Sequence, residues 1–277
     1  MSTDPWGQDV LVDFEDGIAW VQLNRPDKRN AMSVGLAREM GATLDALEVD
    51  DRCGVIVLTG VGEAFSAGMD LKDFFRATDG VSDVERMRAY RSTRYWQWRG
   101  LIHYAKPTIA MVNGWCFGGA FTPLVCCDLA IADEAATFGL SEINWGVIPG
   151  GVVSKAISTV MGDRKAMYYV MTGEKFDGRK AEEMGLINEA VPADQLRART
   201  TELAKVLLGK NPTVLRQARM AYKYARYMDW EQAAEYLTAK ADQTTFVDPE
   251  KGREHGLKQF LDDKTYRPGH GSYVREG

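Results

Sequence analysis

Two glycine-rich stretches hold the residues whose types and spacing could do chemistry. Asn113-Gly114-Trp115-Cys116-Phe117-Gly118-Gly119-Ala120-Phe121-Thr122 reads as a strand that turns at glycines into a helix start. A helix start presents backbone N–H groups with no intrahelical acceptor, and these can hold an anion. Phe138-Gly139-Leu140-Ser141-Glu142-Ile143-Asn144-Trp145-Gly146 places one carboxylate, Glu142, among apolar and small residues. Such a setting raises a carboxyl pKa and suits the group to acid/base work. Together the stretches describe a site that stabilises an oxyanion and moves a proton.

The elements that must position these residues alternate between strand and helix. Val10 to Phe14 and Ile18 to Leu23 read as strands around the turn Glu15-Asp16-Gly17. Ser33 caps a helix expected to run to about Asp50, with Leu36, Met40, Leu44 and Leu47 on one face. Gly54 to Gly60 is a buried strand, and a glycine-rich loop from Gly62 to Gly68 leads to a helix near Asp70–Arg76. Val84 to Tyr104 reads as a long helix. Thr108 to Val112 and Asp128 to Ala132 are strands on either side of the central glycine turn. Several strands are apolar on both faces, the mark of an α/β core with helices outside. From Ala193 the pattern is helical, in pieces Ala193–Leu208, Pro212–Tyr227, Trp230–Thr244 and Pro249–Leu261. A boundary is expected near Val191-Pro192, giving a core over 1–192 and a helical region over 193–277, with Pro268–Gly277 as a surface tail.

Composition narrows the function. A net charge of −5 without long runs of like charge argues against nucleic acid as the main partner. No apolar run is long enough to span a bilayer, and Met1 to Asp13 has no signal-peptide core. The cytoplasm is the expected location. Cys53, Cys116, Cys126 and Cys127 lack metal-type spacing and read as reduced, buried thiols, so no metal is expected. Gly60-Val61-Gly62 lacks the full spacing of a dinucleotide loop.

Five blocks in order carry a family resemblance. They are Asn24-Arg25-Pro26 with Asn30-Ala31-Met32-Ser33; Phe65-Ser66-Ala67-Gly68-Met69-Asp70-Leu71; Pro107-Thr108-Ile109-Ala110 through Gly118-Gly119; Cys127-Asp128-Leu129-Ala130; and Phe138-Gly139-Leu140-Ser141-Glu142. Weaker similarity continues through Thr172-Gly173 and Ala181 to Asn188. The chain resembles the crotonase superfamily, the enoyl-CoA hydratase/isomerase group. The resemblance implies an α/β, crotonase-like spiral of ββα turns. It also implies a C-terminal helical region for trimerisation and for covering the active site, and assembly as a homotrimer or a dimer of trimers. The implied substrate is an acyl-CoA thioester, with no cofactor beyond its coenzyme A moiety. In the family, N–H groups at the positions of Met69 and Gly119 bind the thioester oxygen, where an enolate concentrates its charge. Lys28, Ala67, Leu71, Ser141 and Trp145 match positions along the coenzyme A and substrate path. Lys28 can equally be a solvated loop lysine, and Trp145 a core residue.

Simple enoyl-CoA hydratases use two glutamates, and here the first position holds Thr122 while the second is Glu142. One carboxyl group must then act as acid and base in turn, with Thr122 placing a water or merely capping its helix. The alternative for Glu142 itself is a structural carboxylate.

Within the superfamily, the chain is most similar to hydroxycinnamoyl-CoA hydratase-lyases. That similarity rests on Lys106 to Gly119, Glu142-Ile143-Asn144-Trp145-Gly146, Tyr95-Trp96-Gln97-Trp98 and Gln259-Phe260-Leu261-Asp262-Asp263-Lys264. It implies hydration of a 4-coumaroyl-, feruloyl- or caffeoyl-CoA type substrate. Retro-aldol cleavage then yields acetyl-CoA and an aromatic aldehyde such as vanillin or 4-hydroxybenzaldehyde. Hydration without cleavage and a non-catalytic acyl-CoA-binding scaffold are the competing readings. The branch carries tyrosines at the positions of Phe74 and Thr238, where they contact the substrate's phenolic oxygen. Phe74 keeps the ring without the hydroxyl, and Thr238 keeps a hydroxyl without the reach, so altered aryl recognition is expected.

Overall fold

The computed structural model describes residues 6–266 and 273–275. Most of the expected tail, Pro268–Gly277, lies outside the described residues. The chain divides into two compact units between Glu202 and Leu203, inside a helix and later than the expected Val191-Pro192.

Ten strands lie among the described residues of the first unit: β1 (Val10–Glu15), β2 (Ile18–Leu23), β3 (Val55–Gly60), β4 (Ala64–Ser66), β5 (Thr108–Val112), β6 (Trp115–Phe117), β7 (Leu129–Asp133), β8 (Phe138–Gly139), β9 (Lys175–Phe176) and β10 (Glu189–Val191). They form a six-stranded sheet ordered β1-β2-β3-β5-β7-β10 and a four-stranded sheet ordered β4-β6-β8-β9. β1 and β2 pair antiparallel as a hairpin, and the rest of the large sheet is parallel. Three times the chain leaves the large sheet and enters the small one, as β3 passes to β4, β5 to β6 and β7 to β8. These are the ββα spiral turns that the family resemblance implies. β4, β6 and β8 are parallel neighbours in the small sheet, so the loops after them, distant in sequence, stand side by side at one end of it.

The apolar strand patterns are explained by burial on both faces: every residue of β3 and of β5 is buried. Polar residues of the family blocks tie the strands together. The Asp128 carboxylate accepts from the Thr108 N–H at 2.8 Å, and the Asp128 N–H donates to Thr108 Oγ1 at 2.9 Å, pinning the starts of β5 and β7. Asn188 Oδ1 accepts from the Ala130 N–H at 2.8 Å.

The first helix, Val34–Glu48, is capped by Ser33, whose side chain accepts from the Leu36 N–H. Its face of Leu36, Met40, Leu44 and Leu47 is buried. At its far end Lys106 Nζ donates to the carbonyls of Leu47 and Asp50, a cation at a helix C-terminus. The long helix expected over Val84–Tyr104 is a composite. An α-helix over Asp83–Arg94, opened by a Ser82/Glu85 capping box, widens to a π-helical stretch over Tyr95–Gly100 and closes with Leu101–His103. The segment Leu71–Arg76 is also π-helical.

The second unit contains the helices Pro212–Ala225, Trp230–Val247 and Gly252–Leu261. Asn211 caps the first of these and donates to the Asp248 carboxylate at 3.0 Å, while Asp248 accepts from the Gly252 N–H at 2.7 Å. This clasp holds the start of one helix to the turn before another. Among the described residues no helix is long and apolar enough to cross a membrane.

Candidate active site

The segment Ser66–Asp70 is hung on the loop after β2 by a ladder of hydrogen bonds. The Ala67 N–H donates to the Arg29 carbonyl, the Met32 N–H to the Gly68 carbonyl and the Asp70 N–H to the Met32 carbonyl, at 2.8, 2.8 and 3.0 Å. Met32 and Met69 thus form a parallel bridge. In that pattern the central residue turns its own N–H to the opposite side. The Met69 N–H therefore faces away from Met32. Gly68 makes the geometry possible. Its φ is +89°, and a side chain there would meet the Phe117 carbonyl at 2.6 Å and the Gly119 nitrogen at 3.0 Å.

On the other side of this contact, β6 ends at Phe117 and a helical turn begins over Gly118–Ala120, continuing as the helix Phe121–Cys126. Gly119 is the second residue of the turn, so its N–H lacks an acceptor within the helix. A Cβ on Gly119 would stand 3.0 Å from Met69 Cγ and 3.4 Å from the Met69 nitrogen. Among the described residues neither the Met69 nor the Gly119 N–H has a hydrogen-bond partner. Two free donors from different strand ends lie side by side, at a helix start whose dipole favours negative charge.

Glu142 joins them from a third stretch. β8 leads through Leu140 into a short 3-10 turn, Ser141–Trp145, which ends at Gly146 with φ +84°. The Glu142 side chain is directed at Gly118: a Cβ on Gly118 would lie 2.8 Å from Glu142 Oε1. Glu142 is buried, and among the described residues its Oε2 has no hydrogen-bond partner. Burial pushes its carboxyl above the ordinary value of 4.5, with its own backbone N–H pulling weakly the other way. A buried carboxylate with one oxygen unpartnered and no cation to hold its charge takes up a proton readily.

A partly buried ion cluster supports the donor loop. The Arg25 guanidinium donates to the Asp70 carboxylate and to the Asp73 carboxylate, both at 2.8 Å, and also to the Ala31 carbonyl. Asp70 in turn caps the segment Leu71–Arg76 by accepting from the N–H groups of Lys72 and Asp73. Burial pushes the Asp70 carboxyl up, but the Asp73 N–H and the Arg25 guanidinium outweigh it and hold the group below its ordinary value. Asn30, fully buried, donates to the Val61 and Ala64 carbonyls and accepts from the Arg25 N–H. The residue types of Arg25 and Asn30 stand in the first family block. Their role as struts was not legible without the fold.

The remaining candidates fall in distinct places. Thr122 is buried in the helix that follows Gly119. Phe74 is buried and packs edge-on against Phe75 and Tyr90, with ring centroids 5.5 and 5.2 Å apart. Lys28, Ala67 and Leu71 are exposed and Ser141 is half-buried. Trp145 is 49% exposed, which removes the reading of it as a core residue. Beside Lys28, the Arg29 guanidinium sits 4.7 Å from the centre of the Trp115 ring, a contact with no local sequence signal. Thr238 belongs to the second unit, where it is exposed and its hydroxyl donates to the Ala234 carbonyl of its own helix at 2.8 Å.

With three chain segments converging on two N–H donors and one carboxylate, the comparison with known proteins is direct. The family model described as enoyl-CoA hydratase/isomerase matches residues 13–267. This chain is a member of the enoyl-CoA hydratase/isomerase family. Among curated relatives of this family member, the hydroxycinnamoyl-CoA hydratase-lyase of Pseudomonas fluorescens is 58% identical over 266 residues, covering 96% of each chain. The mitochondrial enoyl-CoA hydratase of Pongo abelii is 30% identical over 247 residues, covering 89% of this chain and 82% of the relative. Among solved structures, an enoyl-CoA hydratase from Bacillus anthracis superposes with a TM-score of 0.81 at 28% identity, covering 92% of this chain and 97% of the other. One from Mycobacterium smegmatis, at 24% identity, shares the fold with a TM-score of 0.84 over 93% and 97% of the two chains.

Proposed function

We propose that this chain hydrates an aryl-propenoyl-CoA and then cleaves the product to an aromatic aldehyde and acetyl-CoA. The observation that carries the reading is the meeting of the buried Glu142 carboxylate, its Oε2 unpartnered among the described residues, with the free N–H groups of Met69 and Gly119. The 58% identity to a hydroxycinnamoyl-CoA hydratase-lyase supplies the substrate class.

In the first step the Glu142 carboxylate takes a proton from water as its oxygen bonds to the β carbon. The double-bond electrons move onto the thioester oxygen, where Met69 and Gly119 hold the enolate. Protonated Glu142 then delivers its proton to the α carbon. In the second step Glu142 removes the β-hydroxyl proton, the Cα–Cβ bond breaks and the aldehyde carbonyl forms. Acetyl-CoA departs as an enolate on the same two donors and takes the proton back from Glu142. One carboxyl group serves both steps because each ends with its proton returned. Thr122, at the position of a second glutamate, orients the water. Lys28, Ala67, Leu71, Ser141 and Trp145 line the thioester path, and Phe74 meets the aryl ring.

Products of the vanillin and 4-hydroxybenzaldehyde type, a cytoplasmic location and a trimeric or doubly trimeric assembly belong to this reading. Assembly is supported by Trp230 and Phe246 on the second unit, 92% and 90% exposed. Purified protein incubated with feruloyl-CoA tests the reaction: aldehyde and acetyl-CoA should appear in equal amounts. Accumulation of the β-hydroxy thioester alone would make the protein a hydratase. Binding without turnover across an acyl-CoA panel would make it a scaffold.

A further inference from the structure

The Gln97 side chain has no role in the chemistry above, yet it touches the residue that supplies one of the two donors. It lies in the π-helical stretch Tyr95–Gly100 and is 7% exposed. Its amide nitrogen stands 3.3 Å from Met32 Sδ and 3.4 Å from Met69 Sδ, donating to both. A buried amide is costly to leave short of strong partners, and thioethers are weak acceptors. Yet these two sulfurs belong to the residues whose backbones form the parallel bridge behind the donor loop. The same two side chains press on Gly119: a Cβ there would meet Met69 Cγ at 3.0 Å and Met32 Cε at 3.3 Å. Wide helical turns of this kind interrupt regular helices at functional sites more often than elsewhere. Here the widened turn is what brings a polar side chain to the two sulfurs.

We infer that Gln97 is a positioning residue for the thioester-oxygen site: its amide clamps Met32 and Met69 through their sulfurs and so fixes the Met69 N–H against the Gly119 N–H. The inference rests on the reading of those two N–H groups as the oxyanion donors. Methionine is flexible, with three rotatable bonds, and by itself holds its neighbours loosely. Two sulfurs fastened to one amide remove that freedom beside Gly119. Gln97 makes no contact with the reacting atoms and acts only through Met69.

A readout specific to the donors comes from a push–pull thioester. The absorption of 4-dimethylaminocinnamoyl-CoA moves to longer wavelength when its carbonyl oxygen is polarised by hydrogen bonds. Bound to the full-length protein it should red-shift. In Gln97→Met, which keeps the shape and loses the donor, the red shift should shrink. With feruloyl-CoA, kcat should fall about tenfold while KM changes little. Gln97→His, which retains a ring N–H, should recover part of both. Met32→Leu, which removes one acceptor sulfur and leaves Gln97 in place, should lower the red shift too. Combined with Gln97→Met it should add nothing further, because the two act as one unit. An unchanged red shift and kcat in folded Gln97→Met overturns the inference. If that variant does not fold, an unchanged red shift in Met32→Leu overturns it instead. Absence of any red shift in the wild-type protein, despite binding, locates the failure in the donor assignment itself.

Discussion

Gly118→Ala separates the chemistry of Glu142 from the stability of the fold. Gly118 has φ +51°, in the left-handed region where an alanine costs about 1–2 kcal/mol. A methyl group at that position would lie 2.8 Å from Glu142 Oε1 and 3.2 Å from its Cδ, where ordinary contact begins at 3.4 Å. The carboxylate therefore has to retreat, by about 0.6 Å to go from 2.8 Å to the 3.4 Å of ordinary contact. It is the end of a rotatable side chain, so it moves cheaply and the fold survives. Catalysis does not, because a misplacement approaching 1 Å costs on the order of 10²-fold in rate. Gly80→Ala is the matched comparison: its φ is +73° and nothing lies within 4 Å of the added methyl, so it carries the backbone strain alone. Both variants should lose about 1–2 kcal/mol in denaturant unfolding. Only Gly118→Ala should lose about 10²-fold in kcat for aldehyde release from feruloyl-CoA. A Gly118→Ala protein with kcat within about threefold of the parent would refute the placement of the Glu142 carboxylate as the working acid/base.

Three further outcomes follow from the same geometry. Because burial raises the Glu142 pKa above its unfolded value of 4.5, the fold favours the protonated form; that contribution is complete below 4.5 and is lost as pH rises through the folded value. Glu142→Gln should thus be inactive, and its melting temperature should gain on the parent as pH rises; a pH-independent difference counts against the buried carboxylate. Asp70 behaves in the opposite sense, since its carboxyl is held low: the stability it adds is present above the ordinary value of 3.8 and disappears as pH falls through the folded value. Arg25→Met, which strands the buried Asp70 carboxylate, should cost about 3–5 kcal/mol near neutral pH in urea unfolding, with the loss shrinking in acid. Phe74→Tyr should raise the preference for feruloyl-CoA over cinnamoyl-CoA by roughly tenfold in kcat/KM, through one added hydroxyl contact; an unchanged ratio would show that Phe74 does not face the aryl ring.

Much of this was written in residue types. Glu142 was recognisable because a lone carboxylate in an apolar, glycine-containing stretch has few structural uses, and Gly118-Gly119 because strand-to-helix turns with glycines expose N–H groups. Alternating apolar strands and helices pointed to the α/β core, and the last four helices were legible because Pro212, Asp229 and similar cap residues punctuate them locally. Local signals travel poorly across a wide helical turn, however, and the π-helical stretch at Tyr95–Gly100 read as ordinary helix.

What the sequence determined by itself were the short-range properties: propensity, caps, apolar periodicity and the family blocks, each set within a few residues by backbone sterics and side-chain chemistry. What only the tertiary structure decided were the distances between blocks. Gly68 against Gly119, Glu142 against Gly118, Gln97 against two sulfurs and Arg25 against Asp70 all join residues far apart in the chain. Those approaches depend on how consecutive turns of the spiral stack their loops at one end of the small sheet. That stacking follows from strand register and close packing of the whole first unit, which no local stretch of residues contains.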